Sequence, residues 1–453
     1  MTQMHIGVLG GGALGLTAAM RLARRGAKVT LIEKEHELGG LAAGFPVGDK
    51  GTYLEKFYHH LFRTDKDIVA LIEELGLGDK LGWHNVNTST LINGKKWKVT
   101  PKDLLLTYRV MSFPSRFRMA AASAYLKFEG NYKRLRNQTA AEWIRKWMGK
   151  EAYEVQWKPL LYGKFGDYYD KIALPWFWSR VHERSFSLGY LRGGFQQLYE
   201  RLGEEVRKAG GEILLGTAVT KITPLEGGKT SIDTDNGGTF VFDAVVSTLP
   251  TKLFLRLAEG LPQSYRDKYD WGTALGAHVM VLELNRSLLG DVYWLNINDL
   301  GYPFLVAVEH TNMIPKEEYG GNVLMYLGNY LPMDHRYFKQ PDEQTLAEFL
   351  PHLKKLNPDF DESWITNRWF FKAPFAQPVV TREYEEHIPP LKTPLPNVYM
   401  GNMFQVYPQD RGQNYSVRLA NKLAGMVPLE KGDSGAATSG PQVAQTSAQT
   451  GSG

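Results

Sequence analysis

The chain contains no cysteine. That absence excludes disulfides, a thiolate nucleophile, cysteinyl metal sites and any cofactor tethered through sulfur, and it leaves the redox compartment unmarked. Long apolar runs are missing too. No uncharged hydrophobic stretch reaches about 18 residues, so no conventional membrane-spanning helix is expected. The apolar start, Met4 to Leu9, has no basic segment ahead of it, which argues against a secretion signal and for cytoplasmic residence. A strong excess of one charge is also lacking. Lys and Arg number 53 against 48 Asp and Glu, a formal +5 over 453 residues. This balance is too mild and too spread for nucleic acid, though it tolerates an anionic ligand or membrane surface. Hydrophobic residues make up 43% and charged residues 22%, as in a globular chain long enough for two substantial domains or one with a large insertion.

What is present is glycine in a telling place. A strand, His5-Ile6-Gly7-Val8-Leu9, runs into Gly10-Gly11-Gly12-Ala13-Leu14-Gly15 and a helix from about Leu14 to Arg25. After Gly26 a second strand, Lys28 to Ile32, ends on Glu33. Strand, glycine turn, helix, strand and acid in this order make the dinucleotide fingerprint. Gly10 allows the turn, Gly12 leaves room for a pyrophosphate to approach, and Gly15 lets helix and strand pack closely. The helix start offers unpaired N–H groups and the positive end of its dipole. Glu33 can accept from both ribose hydroxyls and would repel a 2′-phosphate, so the nucleotide is read as an unphosphorylated adenosine. Leu38-Gly39-Gly40-Leu41 then lets the backbone pass close to something flat or charged, as a cofactor extending beyond its pyrophosphate would require.

Further along, Tyr53 to Phe62 sets His59 and His60 among aromatics, with no carboxylate at metal-site spacing, so no metal site is expected. Thr64 and Asp67 form an expected capping box for a helix over Asp65 to Leu75. Asn93-Gly94 predicts a hairpin of Thr88–Ile92 with Lys95–Val99. Residues 101–136 read as helical, basic and aromatic, suited either to an anionic membrane or substrate, or to an amphipathic cap with a solvated face. Thr139 with Glu142 caps another helix. The rings crowded into 153–178 either pack an interdomain core or line a pocket for an apolar or planar substrate. The run Phe240 to Pro250 reads as one buried strand, and strands are expected near Ala277–Leu284, Pro303–Val308 and Asn322–Leu327. The nucleotide domain is expected over 1–85, 188–250 and 390–428, the substrate or cap domain over 86–187 and 251–389, and a disordered tail over 429–453.

These pieces resemble the flavin-dependent amine oxidase superfamily, especially its protoporphyrinogen-oxidase-like and phytoene-desaturase-like branches, over nearly all of residues 4–427. The resemblance rests on Gly10-x-Gly12-x-x-Gly15, Glu33, Leu38-Gly39-Gly40, Tyr399-Met400-Gly401-Asn402 and Gly412 before a helix. It implies an α/β fold, a Rossmann-like FAD-binding domain of the GR2 type with an inserted mixed-sheet and helical substrate domain. It also implies FAD. The cofactor-binding set it carries over is Gly10, Gly12, Ala13, Leu14, Gly15, Glu33, Lys34, Gly39, Gly40, Leu41, Val219, Thr248, Gly401, Asn402, Gly412, Asn414 and Tyr415. In that set Val219 lies by the adenine, Gly401 and Asn402 reach the pyrophosphate and ribityl chain, and the helix start after Gly412 meets the isoalloxazine. Asn402 stands where many members have Asp.

The segment Phe57 to Asp65 together with Leu91-Ile92-Asn93-Gly94-Lys95 is similar instead to UDP-galactopyranose mutase, which rearranges a nucleotide sugar without net oxidation. Three readings of function follow. The first is an FAD-dependent oxidoreductase oxidising or desaturating an apolar, amphipathic or lipid-like small molecule by hydride transfer to N5. The others are a mutase-like enzyme and a flavin-bearing binding or structural protein. His59, His60, His182, Tyr407 and Asp410 are the candidate acid–base residues, and Gln405 and Arg411 join them near the expected flavin face. Peripheral residence on the inner face of an anionic membrane through 101–136 belongs to the first reading. Nothing in the sequence fixes an oligomeric state.

Overall fold

The computed structural model describes residues 3–48 and 51–429. The tail expected to be disordered lies outside the described residues from position 430 on. Strand His5–Leu9 is the middle of a five-stranded parallel sheet. Its order is Glu212–Leu214, Lys28–Ile32, His5–Leu9, Ala244–Ser247, Val398–Met400, so one sheet gathers segments from across nearly the whole chain. Central strands of such a sheet are covered on both faces and read as unbroken apolar runs. The four residues Ile6 to Leu9 are accordingly buried. Helix Ala13–Arg24 covers one face, packed against Gln196–Lys208 and Gln413–Met426.

The expected strand over 240–250 divides at Asp243. Thr239–Phe242 closes an antiparallel meander with Val219–Pro224 and Thr230–Thr234, and only Ala244–Ser247 enters the parallel sheet. The division has a local cause. Asp243 donates its N–H to the His5 carbonyl (2.8 Å) while its carboxylate accepts from His5 N–H (2.9 Å), which turns the chain from one sheet into the other.

A second sheet of seven strands runs in the order Ile365–Pro378, Ala274–Leu284, Val323–Leu331, Val306–Glu309, Val292–Ile297, Asn87–Ile92, Lys95–Lys98. It is antiparallel except where Val292–Ile297 meets Asn87–Ile92. The Asn93-Gly94 hairpin forms as read, with φ of +53° and +70° at its two turn residues. The 14-residue strand Ile365–Pro378 is not announced by its sequence, which carries Pro374 and Pro378. It lies at the sheet edge, where a residue without an N–H is tolerated.

Thr139 and Glu142 make the expected capping box around Ala140–Trp147. Thr64 and Asp67 do not. Helix Lys66–Glu74 has no side-chain cap from Asp65, and Thr64 Oγ1 donates instead to the Glu183 carbonyl (2.7 Å). The Asp67 N–H is taken by Asn414 Oδ1 (2.9 Å), so a residue more than 300 positions away does the capping. Glu55 ties strand Ser187–Leu191 to the seven-stranded sheet. Its carboxylate accepts from Tyr190 Oη (2.8 Å) and Phe195 N–H (2.7 Å), and its carbonyl accepts from Tyr326 Oη (2.7 Å) on the large sheet. Burial pushes this carboxyl up to about 7.

Candidate active site

The turn after the first strand is filled from within and open outward. A Cβ on Gly15 would stand 1.9 Å from the Gly10 carbonyl oxygen, and one on Gly10, where φ is +107°, 2.3 Å from Thr248 Oγ1. Over Gly12 nothing lies within 4 Å. Helix Ala13–Arg24 therefore starts at an open groove, with Ala13 at its head and Leu14 buried beneath. The Gly39 N–H donates to the Gly11 carbonyl (2.9 Å), which lays the double-glycine loop alongside. Glu33 accepts from Gly11 N–H (2.5 Å) and Glu35 N–H (2.9 Å). A carboxylate takes about four donors, so half its capacity remains for hydroxyls. Thr248 donates both N–H and Oγ1 to the Leu9 carbonyl (2.8 Å each) and roofs Gly10. Lys34 points to solvent and pairs with Glu35 (2.9 Å), while half-buried Val219 opens the meander.

Asn402 explains its own departure from aspartate. Its Nδ2 donates to the Leu249 carbonyl (2.9 Å) and Thr251 Oγ1 (3.2 Å), and its Oδ1 accepts from Phe404 N–H (3.0 Å). A carboxylate could not donate to Leu249 and would face that carbonyl with negative charge. The amide thus clamps the loop after Ala244–Ser247 to the loop after Val398–Met400. Gly401 is held by its N–H to the Ser247 carbonyl (3.0 Å).

Between the seven-stranded sheet, helices Lys158–Phe165 and Leu174–His182 and the start of helix Gln413–Met426 lies a cavity of ≈ 310 Å³. Leu41, Gly412, Asn414 and Tyr415 from the expected cofactor set line it, as do His59, His60 and Asp410 from the acid–base set. Tyr407 is elsewhere, stacked on Tyr384 (6.2 Å between centroids) and edge-on to Tyr132. Where helix Gln413–Met426 begins, Gln413 Nε2 and Asn414 Nδ2 are buried donors without a protein partner, beside the free N–H groups of the first turn. Open space over Gly12 at one end and orphaned donors at the other fit an extended dinucleotide with a polar ring edge.

The charge in the cavity is the feature least visible in the sequence. Asp410 accepts from Arg180 (3.0 Å) and pairs with Lys164 (3.2 Å). Burial alone would raise its carboxyl, yet Lys164, Arg180 and Arg411 hold it well below the usual carboxylate range. Arg411 donates to Tyr330 Oη. Burial opposes ionisation of Tyr330, but Arg411 and Lys164 outweigh it and bring the phenol below its ordinary value. Its neighbour Tyr58 is pushed up by burial and by Tyr330. Arg184 also lines the cavity, and among the described residues no carboxylate pairs with it. It is an exposed residue at the edge of that cavity, so its guanidinium stays cationic at neutral pH.

His59 is lowered to about 4 by burial and Arg411, and His60 to about 3 by burial, Arg184 and Arg180. Both rings are therefore neutral near pH 7. His59 Nδ1 bonds the Phe57 carbonyl, and His60 is wedged edge-on to Trp294 (5.7 Å). His182 stacks on Trp178 (4.5 Å). Sequence reasoning passed over Lys164, Arg180, Arg184 and Tyr330. The available signal was Lys164, Arg180 and Arg184, three of five cations set within the ring-rich run from Trp157 to Arg184, beside a π-helical turn at Tyr153–Trp157 of the kind often found near sites.

Among the described residues no helix is long and apolar enough to cross a membrane. No curated protein matches the chain in sequence. Among solved structures, a candidate protoporphyrinogen oxidase from Exiguobacterium sp. 255-15 is similar at 20% identity and a TM-score of 0.75, covering 94% of this chain and 98% of that one. Reduced UDP-galactopyranose mutase is similar at 16% identity and 0.73, over 93% and 95%. Cyclohexylamine oxidase from Brevibacterium oxydans IH-35A is similar at 13% and 0.71, over 94% and 99%. At such identities the likeness is one of fold. The sequence profile of the flavin containing amine oxidoreductases matches residues 15–407. With that span, the chain belongs to the flavin-containing amine oxidoreductase family and is an FAD-dependent oxidoreductase.

Proposed function

We propose that the protein oxidises or desaturates an amphipathic, lipid-like small molecule that carries an anionic group. The observation behind this reading is the convergence of Lys164, Arg180, Arg184 and Arg411 on a cavity whose lining also includes Trp157, Trp176 and Trp294. Bound FAD supplies the hydride acceptor at N5, reoxidised by O₂ or another acceptor. The chain's own residues do the rest. Arg184, which has no internal acid, is free to bind the anionic group. Asp410 holds Lys164 and Arg180 in place, and the indole walls exclude water from the apolar part. Tyr330 Oη, held toward its ionised form by Arg411 and Lys164, takes the proton that leaves the substrate when the hydride departs. Neutral His59 and His60 orient and pack rather than donate charge. The diphosphate groove is assigned to Gly10, Gly12, Ala13, Leu14 and Gly15, the ribose to Glu33, and the ring edge to Gly412, Asn414 and Tyr415. A peripheral position on the inner face of an anionic membrane suits a substrate of this class.

One observation favours the mutase-like alternative. Several arginines facing one cavity would also grip the diphosphate of a nucleotide sugar, and reduced UDP-galactopyranose mutase shares the fold. An open cavity, not one plugged by side chains, weighs against a mere binding role. Anaerobic titration of the purified yellow protein separates the readings. Bleaching of the flavin by a carboxylate- or phosphate-bearing lipid-like compound supports oxidation. An unbleached flavin, with turnover only of a sugar nucleotide after dithionite reduction, sinks it.

A further inference from the structure

Helix Phe113–Phe128 has two apolar faces. One holds Met119 and Leu126, buried against the helices behind it. The other carries Phe113, Phe117, Ala121, Ala124 and Phe128, which at 100° per residue form a single stripe pointing away from the protein. Phe113 is 60% exposed, Phe117 63% and Phe128 85%, and Leu106, just before the helix, is 61%. Large apolar side chains on a surface are usually scattered singly, whereas these run in line for the length of a 16-residue helix. Tyr125 and Trp147, each about half-exposed, stand beside the stripe. Arg118 fastens this edge, donating to the Trp147 carbonyl (2.9 Å).

The rim is basic. Residues 101–136 contain eight Lys and Arg against two acids, Asp103 and Glu129, which exceeds the formal +5 of the entire chain. The mild overall balance conceals this local concentration. Lys102, Arg109, Arg118, Lys133, Arg134 and Arg136 are all exposed there.

We infer that the outward face of helix Phe113–Phe128 docks on an anionic lipid bilayer, with its phenylalanines inserted among the acyl chains and the basic rim on the headgroups. The inference narrows the peripheral-membrane part of the functional reading to one surface, and it rests on that reading. Charge complementarity selects the occupant. A second copy would bring the same cationic rim against itself, while a bilayer offers negative charge around an apolar interior at the depth a helix stripe reaches. Tyr125 and Trp147 sit where rings with one apolar and one polar side gather at such interfaces. Helix Leu174–His182 packs directly against this helix, and Lys127 donates to the His182 (2.7 Å) and Arg184 (3.0 Å) carbonyls. The docking face therefore backs the element that brings Arg180 and Arg184 to the cavity.

The test is co-sedimentation of the FAD-loaded protein with vesicles, either phosphatidylcholine alone or an equal mixture with phosphatidylglycerol. Binding to the mixed vesicles alone is expected, at least tenfold weaker in the F117S/F128S double variant and in a K102Q/R109Q/K133Q/R136Q variant. Both variants should keep the flavin spectrum and melting temperature of the parent, because none of these side chains is buried. Absence of sedimentation by the parent protein overturns the inference, as does equal binding of the F117S/F128S variant. A concentration-dependent dimer abolished by F117S/F128S, without vesicle binding, overturns it in favour of self-association. Flavin bleaching by an anionic lipid-like compound is read independently of any of these outcomes.

Discussion

The diphosphate groove and the cationic cavity occupy the two ends of one proposed cofactor path, yet they are built on opposite principles. The groove is backbone. Its shape comes from four glycines within six residues, a neighbouring strand and a helix start, with Glu33 the charged side chain bonded to the turn at Gly11 N–H. The cavity is side chain. Lys164, Arg180, Tyr330 and Arg411 come from two helices, a strand and a loop, and each has meaning only beside the others. Backbone sites are local and tolerate little change, while assembled sites divide their work so that single losses are graded.

The sharpest way to test this contrast is a pair of glycine substitutions. Gly15→Ala puts a methyl carbon 1.9 Å from the Gly10 carbonyl oxygen, and backbone cannot yield cheaply. FAD content per purified chain, read from visible absorbance, should be lost almost entirely, with folding impaired. Gly12→Ala meets nothing in the protein and has an ordinary φ of −76°. Its apoprotein should melt like the parent's while FAD affinity falls by at least tenfold. Parent-like FAD affinity in Gly12→Ala would mean the groove is not where the phosphates lie.

Within the cavity, Asp410→Asn should be next in size. It strips Lys164 and Arg180 of their acid. The loss is expected to be roughly 2–3 kcal/mol in chemical denaturation, below the value for fully buried pairs because Arg180 keeps a third of its side chain exposed. Added pyrophosphate should recover part of it.

Glu55 offers a pH-dependent comparison where strand Ser187–Leu191 meets the seven-stranded sheet. Its folded value of about 7 lies above the ordinary 4.5, so the fold binds its proton more tightly than the unfolded chain does. The resulting stabilisation is complete below about pH 4.5 and disappears as pH rises to 7, amounting to about 3 kcal/mol. Glu55→Gln should lack this slope, checked as the difference between the two proteins' stability–pH curves. Smallest is Arg184→Gln. With no internal partner to abandon, stability should be unchanged. The dissociation constant for pyrophosphate, followed by fluorescence of the cavity tryptophans, should rise about tenfold, worth about 1.4 kcal/mol. An unchanged constant would make Arg184 a bystander.

How much was readable beforehand follows the same division. The strand, turn, helix and acid from His5 to Glu33 are contiguous, and each residue's role is set by neighbours within a turn or two. The Asn93-Gly94 hairpin and the Thr139–Glu142 cap were readable for that reason. The Thr64–Asp67 cap failed although its pattern was right, because Glu183 and Asn414 compete for the same groups from far along the chain. The strand Ile365–Pro378 escaped notice because its prolines are acceptable only at an edge, and edge position belongs to the sheet. Tyr407 and Asp410, three positions apart, were equal candidates until the chain turned one to the cavity and the other into an aromatic stack.

By itself the sequence determined the nucleotide turn, the missing sulfur chemistry and the basic aromatic character of 101–136, since these depend on residue type and short spacing alone. Only the tertiary structure decided which cations share a cavity, why position 402 must donate as well as accept, and which face of helix Phe113–Phe128 is left uncovered. Those outcomes depend on contacts between residues tens to hundreds of positions apart, for which one-dimensional order carries no local signal.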